Sequence, residues 1–323
     1  MKSTILIGDV RKRLSEIPSE SVRTCVTSPP YFGLRDYGHD GQIGLEQTPE
    51  AYVAELVEVF REVRRVLADD GTLWLNLGDS YAGSGKGANA DGSVTATGKQ
   101  ATHKGTTLGT FTKSFTGDGL KPKDLIGIPW RVAFALQADG WYLRSDIIWA
   151  KPNPMPESVT DRPTKSHEYL FLLSKSPKYF YDYEAIREEG VIKAGTKGAK
   201  GSVERSTTNK VNSRPPEYKV YDGMRNKRDV WTINTKPFKG AHFAVMPEAL
   251  VEPCVLAGSA EGDTVLDPFT GSGTVAVVAN RHGRNFIGTE LNPEYAEIAR
   301  ERISKADPLF NEVEVFSKCG EKL

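Results

Sequence analysis

The chain has 323 residues, of which 38% are hydrophobic, and its 42 Lys and Arg residues balance 42 Asp and Glu residues. A neutral chain has no net field to attract a polyanion, so a nucleic acid could be met only through a local basic patch. The three widely spaced cysteines exclude a disulfide framework and a Cys-x-x-Cys zinc site, and no apolar run approaches the roughly 18 residues of a membrane span. We therefore expect a cytoplasmic protein with no metal site and no membrane partner.

The amino-terminal part alternates strand-like and helix-like patterns. Strands are predicted at residues 4–7, 24–27 and 72–77, and helices at 10–17 and 49–67. Such alternation is typical of a parallel sheet covered by helices. From residue 82 to residue 123 the pattern gives way to Gly, Ser, Thr, Ala and Lys with a net charge of about +4. A segment of this length without regular structure is either an insertion that acts on a ligand or a mobile loop.

Regular patterns return in the second half of the chain and are then interrupted again. A helix is predicted at 124–138, followed by strands at 144–150 and 167–174. Residues 187–239 are irregular, carry a net charge of about +7, and interleave Tyr, Trp and Phe with the basic side chains. This mixture suits phosphate contact and base stacking, and it suits a solvated surface insertion equally well.

A glycine-rich turn follows the strand predicted at residues 264–267. The turn leads into a helix at 275–280 and a strand at 285–289 that ends in Glu290, where a carboxylate is placed to accept ribose hydroxyls. Gly271-x-Gly273-x-x-Ala276 also matches the dinucleotide fingerprint, so a nicotinamide oxidoreductase stays open at this point. Only a helix at 293–304 and a short strand at 312–316 remain after it. The amino-terminal strands must therefore complete the sheet, which makes seven strands in permuted order.

Two motifs make the chain resemble a known family, the S-adenosylmethionine-dependent DNA amino-methyltransferases in the permuted order called class β. They are TSPPY at residues 27–31 and DPFTGSGT at residues 267–274. Five further stretches look like that family: Gly8-Asp9, LWLNLGDSY at 73–81, WAKPNPMP at 149–156, SHEYLFLLSK at 166–175 and HFAVMPEAL at 242–250. The resemblance implies a circularly permuted, seven-stranded, mostly parallel Rossmann-like sheet with helices on both faces and an inserted target-recognition region.

The same resemblance implies a division of the chain. Residues 1–81 would form the catalytic half and 124–186 its remainder, with the loop 82–123 between them. Residues 187–239 would be the target-recognition region, and 240–323 the cofactor-binding half of the same domain.

The resemblance also assigns a cofactor site for S-adenosylmethionine. Phe269, Gly271 and Gly273 would lie against the cofactor, with Thr274 completing the turn. Asp267 would sit near the methionine end, Glu290 would hold the ribose hydroxyls and Asp9 would contact the adenine ring. Phe243 and Pro247 would belong to the segment that closes over the methionine moiety.

The TSPPY residues would carry the chemistry. An exocyclic amino group is a poor nucleophile because its lone pair is delocalised into the base. The Ser28 hydroxyl and the Pro29 carbonyl can both accept hydrogen bonds from that group and aim its lone pair at the methyl donor. Pro30 adds stiffness, and Tyr31 would stack on a base rotated out of the duplex. Cys25 lies inside a buried strand and is interpreted as a packed small side chain and not as a nucleophile.

The leading hypothesis is a site-specific DNA methyltransferase acting on N4 of cytosine. Ser28 favours cytosine, because family members with Asp at that position mostly modify adenine N6. N6-adenine methylation, the oxidoreductase and a non-catalytic DNA-binding module are the alternatives. Double-stranded DNA is the expected partner in a prokaryotic or phage-encoded protein. A homodimer and a cognate restriction endonuclease are compatible with the resemblance, but no residue indicates them.

Overall fold

The computed structural model describes residues 1–34, 38–82, 119–191, 195, 222–236, 245–306, 311–317 and 319–323. The chain divides into two compact units. The first comprises Met1–Tyr181 and Asp229–Leu323, and the second comprises Asp182–Arg228. Within the described residues, no helix combines the length and the apolar character that crossing a bilayer requires.

The regular elements follow one another in this chain order, with β6 and β7 in the second unit: β1 (Lys2–Ile7), α1 (Val10–Ser15), β2 (Val22–Thr27), α2 (Pro49–Val66), β3 (Leu67–Leu77), α3 (Ile128–Ala138), β4 (Tyr142–Ala150), β5 (His167–Ser174), β6 (Glu188–Glu189), β7 (Met224–Arg225), β8 (Val230–Thr232), α4 (Glu248–Gly258), β9 (Thr264–Asp267), α5 (Thr274–Arg281), β10 (Asn285–Glu290), α6 (Pro293–Ala306) and β11 (Glu312–Phe316).

The first unit is built on one sheet, which has nine strands among the described residues, in the order β11-β1-β10-β9-β2-β3-β5-β4-β8. Neighbouring strands from β11 to β3 are parallel, β5 is antiparallel to both of its neighbours, and β8 is parallel to β4. The carboxy-terminal β9 and β10 lie between the amino-terminal β1 and β2. The predicted fold class and permuted order are therefore confirmed, with β11 and β8 added at the two edges.

The helices form because apolar side chains recur at helical spacing. In α2 the Thr48 hydroxyl caps the helix by accepting from the Ala51 N–H at 3.1 Å, and Pro49 occupies its first turn. The buried face is made of Tyr52, Leu56, Val59, Phe60, Val63 and Val66. Helices α1, α2 and α3 pack together, as do α4, α5 and α6, with one group on each face of the sheet.

Strand β8 is a regular element that the sequence pattern does not predict. It pairs with β4 through Trp231, opposite Trp149, and belongs to the main sheet. The sequence prediction had placed these residues in the region 187–239. With three residues and one buried side chain, β8 carries too little hydrophobic pattern to be recognised.

The second unit holds a short 3₁₀ helix at Glu184–Ile186 and the antiparallel pair β6 and β7. Its described arginines are engaged by acids within the unit. Arg187 contacts both oxygens of Asp222, at 2.5 and 2.9 Å. Glu188 accepts from Arg225 at 3.0 Å and from Arg228 at 2.7 Å. Any anion that binds these guanidinium groups must therefore compete with carboxylates already in place.

Candidate active site

A pocket of about 260 Å³ lies where the carboxyl ends of β1, β2, β9 and β10 meet. Ligands of open parallel sheets bind at this edge, in the crevice between the loops that follow the carboxyl ends of the strands. Most of the candidate residues line this pocket: Asp9, Ser28, Pro29, Pro30, Tyr31, Asp267, Phe269, Gly271, Thr274 and Glu290. The sequence thus placed residues from both ends of the chain in one site.

Two described candidates, Gly273 and Pro247, do not line the pocket. Gly273 begins α5 with φ of +76°, and a Cβ there would come within 3.0 Å of Ala299 Cβ in α6. The positive φ favours glycine at this position, and the close approach of α6 leaves little room for a side chain. Pro247 begins α4, although Val245 and Met246 just before it line the pocket. Phe243 lies outside the described residues.

Glu290 is held at the end of β10 by the glycine turn itself. Its two carboxylate oxygens accept from the backbone N–H groups of Gly271 and Asn292, at 2.8 and 2.9 Å. Burial raises the pKa of Glu290 above its ordinary value. Each oxygen keeps a further lone pair, so the carboxylate can accept from two more donors in the pocket.

Asp267 links the glycine turn to the TSPPY strand. Thr27, the first residue of TSPPY, donates its hydroxyl to Asp267 Oδ1 at 2.6 Å, and the Phe269 N–H donates to the same oxygen at 3.0 Å. Burial raises the pKa of Asp267 to about 7, against the opposing effect of these hydrogen bonds. The two most specific motifs of the sequence are therefore joined by a buried side-chain hydrogen bond.

Asp9 lies at the pocket edge but is already engaged on its own element. It caps α1 by accepting from the Arg11 N–H at 2.9 Å, and the Arg11 guanidinium pairs with it at 2.7 Å. Burial acts to raise the pKa of Asp9, but the hydrogen bonds from Arg11 outweigh burial and hold the pKa below its ordinary value. The carboxylate is thereby fixed in orientation next to the pocket.

The TSPPY loop is held in place by neighbouring side chains. Tyr52 of α2 donates its hydroxyl to the Pro30 carbonyl at 2.8 Å. The Ser28 hydroxyl lies 3.4 Å from the Tyr31 hydroxyl. The Tyr31 ring passes so close to Gly78 that a Cβ there would lie 2.5 Å from ring atom Cε2. Any larger residue at position 78 would displace the ring from the pocket wall.

Among the charged pocket residues that were missed in the sequence are Glu168 and Lys151. Glu168 is the second residue of β5 and accepts from the Tyr31 hydroxyl at 2.7 Å, and Lys151 follows β4 and forms an ion pair with Glu168. The Lys151 ammonium also lies 4.1 Å from the ring centroid of Trp149. Because β5 is antiparallel, its first residues reach the edge where the parallel strands end. The only sequence signal for Glu168 was its position as a charged residue just before the apolar run 169–173. Hydrophobic periodicity does not show in which direction a strand runs, so it could not place Glu168 at this edge of the sheet.

Cys25 agrees with its interpretation as a packed side chain. It is fully buried in β2, and burial, with the charge of Asp267 adding to it, raises the pKa of the thiol well above its ordinary value. A thiolate nucleophile is therefore disfavoured at this position.

A family profile and similar known proteins agree on one family. A family profile described as DNA methylase matches residues 22–301. The type II methyltransferase M.Cfr9I of Citrobacter freundii is 50% identical over 305 residues, covering 94% of this chain and 89% of that protein. M.SmaI of Serratia marcescens is 51% identical over 299 residues, covering 93% and 90%.

Solved structures agree with the fold. A protein of Thermus thermophilus, assigned as a DNA modification methylase and complexed with S-adenosyl-L-methionine, is 25% identical with a TM-score of 0.58, covering 96% of this chain and 97% of that chain. The PvuII DNA methyltransferase (cytosine-N4-specific) has a TM-score of 0.61 at 19% identity, covering 99% and 96%, which shows the shared fold.

These matches cover nearly the whole chain and displace the oxidoreductase alternative. S-adenosylmethionine, the cofactor implied by the resemblance, is the methyl donor of the family, and DNA is the substrate named by the family description. The chain belongs to the N4/N6 family of DNA amino-methyltransferases, as a type II DNA methyltransferase.

Proposed function

We propose that the protein transfers a methyl group from S-adenosylmethionine to N4 of a cytosine flipped out of double-stranded DNA. The observation that carries this proposal is the shared pocket, in which Ser28 and Pro29 face the same cavity as Phe269 and Glu290. A donor on the glycine turn and a base at TSPPY would therefore meet without intervening protein. Holding two reactants in this way can supply on the order of 7–11 kcal/mol of the barrier.

The residues of the glycine turn fit the cofactor. Glu290 has lone pairs left for the two ribose hydroxyls, and its position is fixed by the backbone of Gly271 and Asn292. Phe269 offers an apolar surface, and we assign Asp267 to the methionine end and Asp9 to the adenine end. Val245 and Met246 line the pocket beside Pro247, so this segment, with Phe243, is our candidate for the cover of the methionine moiety. The bound cofactor supplies an electrophilic methyl group on a sulfonium sulfur.

The TSPPY residues prepare the acceptor nitrogen. Hydrogen bonds from the amino group to Ser28 Oγ and the Pro29 carbonyl would draw its lone pair out of conjugation and toward the donor. The buried bond between Thr27 and Asp267, at 2.6 Å, keeps this acceptor pair in register with the cofactor turn. Tyr31 would hold the flipped base by stacking. We propose direct displacement with no covalent enzyme intermediate. The amino nitrogen would bond to the methyl carbon as the bond from that carbon to the sulfonium sulfur breaks. The neutral thioether would leave, and the surplus proton of the nitrogen would pass to solvent.

The first prediction concerns the base. DNA methylated by the protein and digested to nucleosides should contain N4-methylcytosine, because Ser28 stands where adenine-modifying relatives of the family mostly have Asp. Mass spectrometry of the nucleosides, with a Ser28→Ala preparation as the blank, makes the measurement. A product containing N6-methyladenine alone would show that the target base is adenine and would leave the family assignment intact.

The basic region 187–239 is our candidate for target recognition, with the loop 82–123 closing on the DNA. Within the described second unit, Arg187 and Arg228 are paired with acids, so phosphates must displace those pairs. We expect the affinity for DNA to fall steeply with salt concentration, measured by fluorescence anisotropy. Exchanging residues 187–228, which leaves β8 in the main sheet, for the matching segment of another family member should transfer sequence preference, and binding insensitive to salt would contradict this assignment.

The named relatives are bacterial, and we propose that the protein works on DNA in the cytoplasm of a prokaryote or in a cell infected by a phage that encodes it. A restriction endonuclease that cuts the same sequence is the partner we propose for a type II methyltransferase. A homodimer is a second proposal, which sedimentation of the purified protein would test.

A further inference from the structure

A continuous chain of polar contacts leads from Lys151 to Ser28. The Lys151 ammonium pairs with one oxygen of Glu168, whose other oxygen accepts from the Tyr31 hydroxyl at 2.7 Å. The Tyr31 oxygen in turn lies 3.4 Å from Ser28 Oγ. The Lys151 and Glu168 side chains are each 15% exposed, so solvent reaches little of this network. Neither residue has a role in the reaction described so far.

The proton directions in this chain follow from the partners of Tyr31. Glu168 is a carboxylate and can only accept. Asn76 presents its Oδ1 to the Tyr31 hydroxyl at 3.2 Å, because its amide Nδ2 donates to the Tyr169 carbonyl at 3.0 Å. Both neighbours are therefore acceptors, and the Tyr31 proton must point away from Ser28. The Tyr31 oxygen then offers its lone pairs to the Ser28 proton.

The direction of the Tyr31 proton determines whether Ser28 acts as a hydrogen-bond donor or as an acceptor toward the base. A serine hydroxyl is both a donor and an acceptor, and a freely rotating one would point its proton at the incoming amino group for part of the time. With its proton held by Tyr31, Ser28 turns its own lone pairs toward the pocket. That is the state in which it can accept a hydrogen bond from the amino nitrogen.

We propose that Glu168 is a positioning residue which, acting through Tyr31, holds Ser28 as a hydrogen-bond acceptor for the amino group. Lys151 orients the Glu168 carboxylate and balances its charge. An aspartate at position 28 would be an acceptor without help, whereas a serine requires its proton to be directed elsewhere. The contacts among Lys151, Glu168 and Tyr31 are therefore useful to the reaction because residue 28 is a serine. This inference rests on the proposed function, since it concerns the same amino group.

Tyr31→Phe and Glu168→Gln, made singly and together in the full-length protein, test the proposal. Tyr31→Phe keeps the ring and removes the hydroxyl, and Glu168→Gln keeps the side-chain shape and removes the charge. The rate of methyl transfer is measured in a single turnover on a duplex that contains the sequence methylated by the wild-type protein. Asp146→Asn, which changes an exposed carboxylate on β4, is the matched control and should keep the wild-type rate.

Each single variant should slow methyl transfer by about 10- to 100-fold, the range expected for one hydrogen bond to a charged group. The double variant should be no slower than the slower single variant, because both changes break the same chain. Cofactor affinity, DNA affinity and base flipping, the last followed by 2-aminopurine fluorescence, should remain at wild-type values. These binding readouts separate a role in orienting Ser28 from a general role in holding the loop.

Several outcomes would overturn the proposal. Fold losses that multiply in the double variant would mean that Glu168 and Tyr31 act independently. An unchanged rate in Glu168→Gln, or a loss explained by weaker cofactor or DNA binding, would give Glu168 another role. If Glu168→Gln fails to fold, Tyr31→Phe alone decides, since a wild-type rate without the hydroxyl removes the link to Ser28. The product nucleoside of the wild-type protein tests the proposed function separately.

Discussion

Replacing Ser28 by alanine should lower the rate of methyl transfer by about 100- to 1,000-fold, a loss typical of removing one group that stabilises the developing charge in a reaction. The alanine variant would leave the Pro29 carbonyl as the remaining proposed acceptor for the amino group. Cofactor affinity should stay close to that of the wild-type protein, because Glu290 and the Gly271 turn are untouched. Single-turnover transfer from a labelled donor, together with cofactor titration by calorimetry, measures the two quantities.

Ser21→Ala is the matched control for this experiment. Ser21 is exposed just before β2, and its hydroxyl donates to the Pro18 carbonyl at 2.7 Å, so its loss removes a hydroxyl at the opposite end of the same strand. The control should methylate at the wild-type rate. Turnover that survives unchanged in Ser28→Ala would show that Ser28 has no part in the chemistry. Loss of cofactor binding in the same variant would point instead to a damaged pocket.

The second large effect is expected at Glu290. Glu290→Ala should raise the dissociation constant for S-adenosylmethionine by at least about 100-fold, because two hydrogen bonds to a carboxylate contribute on the order of 1.5–3 kcal/mol each. The variant also leaves the backbone N–H groups of Gly271 and Asn292 without their acceptor, which loosens the turn. Calorimetric titration with the cofactor, in the absence of DNA, makes the measurement independent of methylation.

Two further substitutions make the Glu290 result specific. Glu290→Gln can accept from only one of the two backbone donors, so its affinity should fall between those of the wild-type protein and Glu290→Ala. Glu294→Gln changes an exposed acid in the first turn of α6, four residues along the chain, and should bind the cofactor as the wild-type protein does. Wild-type affinity in Glu290→Ala would refute the assignment of Glu290 to the ribose.

The sheet could be predicted because its central strands are apolar runs that end at recognisable turns. Strand β8 and helix α4 could not. Helix α4 is apolar on nearly all sides and contains Pro253, so it has no amphipathic period to detect. It ends at Gly258, where a Cβ would lie 2.6 Å from Thr24 Oγ1 and 2.9 Å from Trp74 Nε1, a constraint visible only in three dimensions.

The candidate site likewise contains residues that could be predicted from the sequence and residues that could not. Ser28 and Glu290 directly follow predicted strands and Asp267 is the last residue of one, so their convergence depends only on the strands being parallel. Glu168 reaches the site from the start of an antiparallel strand, and the sequence contains no local mark of that direction. A glycine in a ligand-binding turn can allow close approach of the ligand or packing against another helix, and Gly273, with φ of +76° and a Cβ position 3.0 Å from Ala299 Cβ, has features that suit the second use. Motif membership alone does not separate these two uses of glycine.

The permuted sheet also orders events during synthesis of the protein. Thr27 and Asp267 share a hydrogen bond although 240 positions separate them in the chain, and β9 and β10 fill the gap between β1 and β2. TSPPY therefore emerges from the ribosome long before the strands that complete the centre of the sheet. Pairings between strands so far apart in the sequence also form slowly. A growing chain carries the TSPPY loop before the other wall of the pocket exists. Modification of DNA must wait until residue 290 has emerged and the last central strand has been inserted.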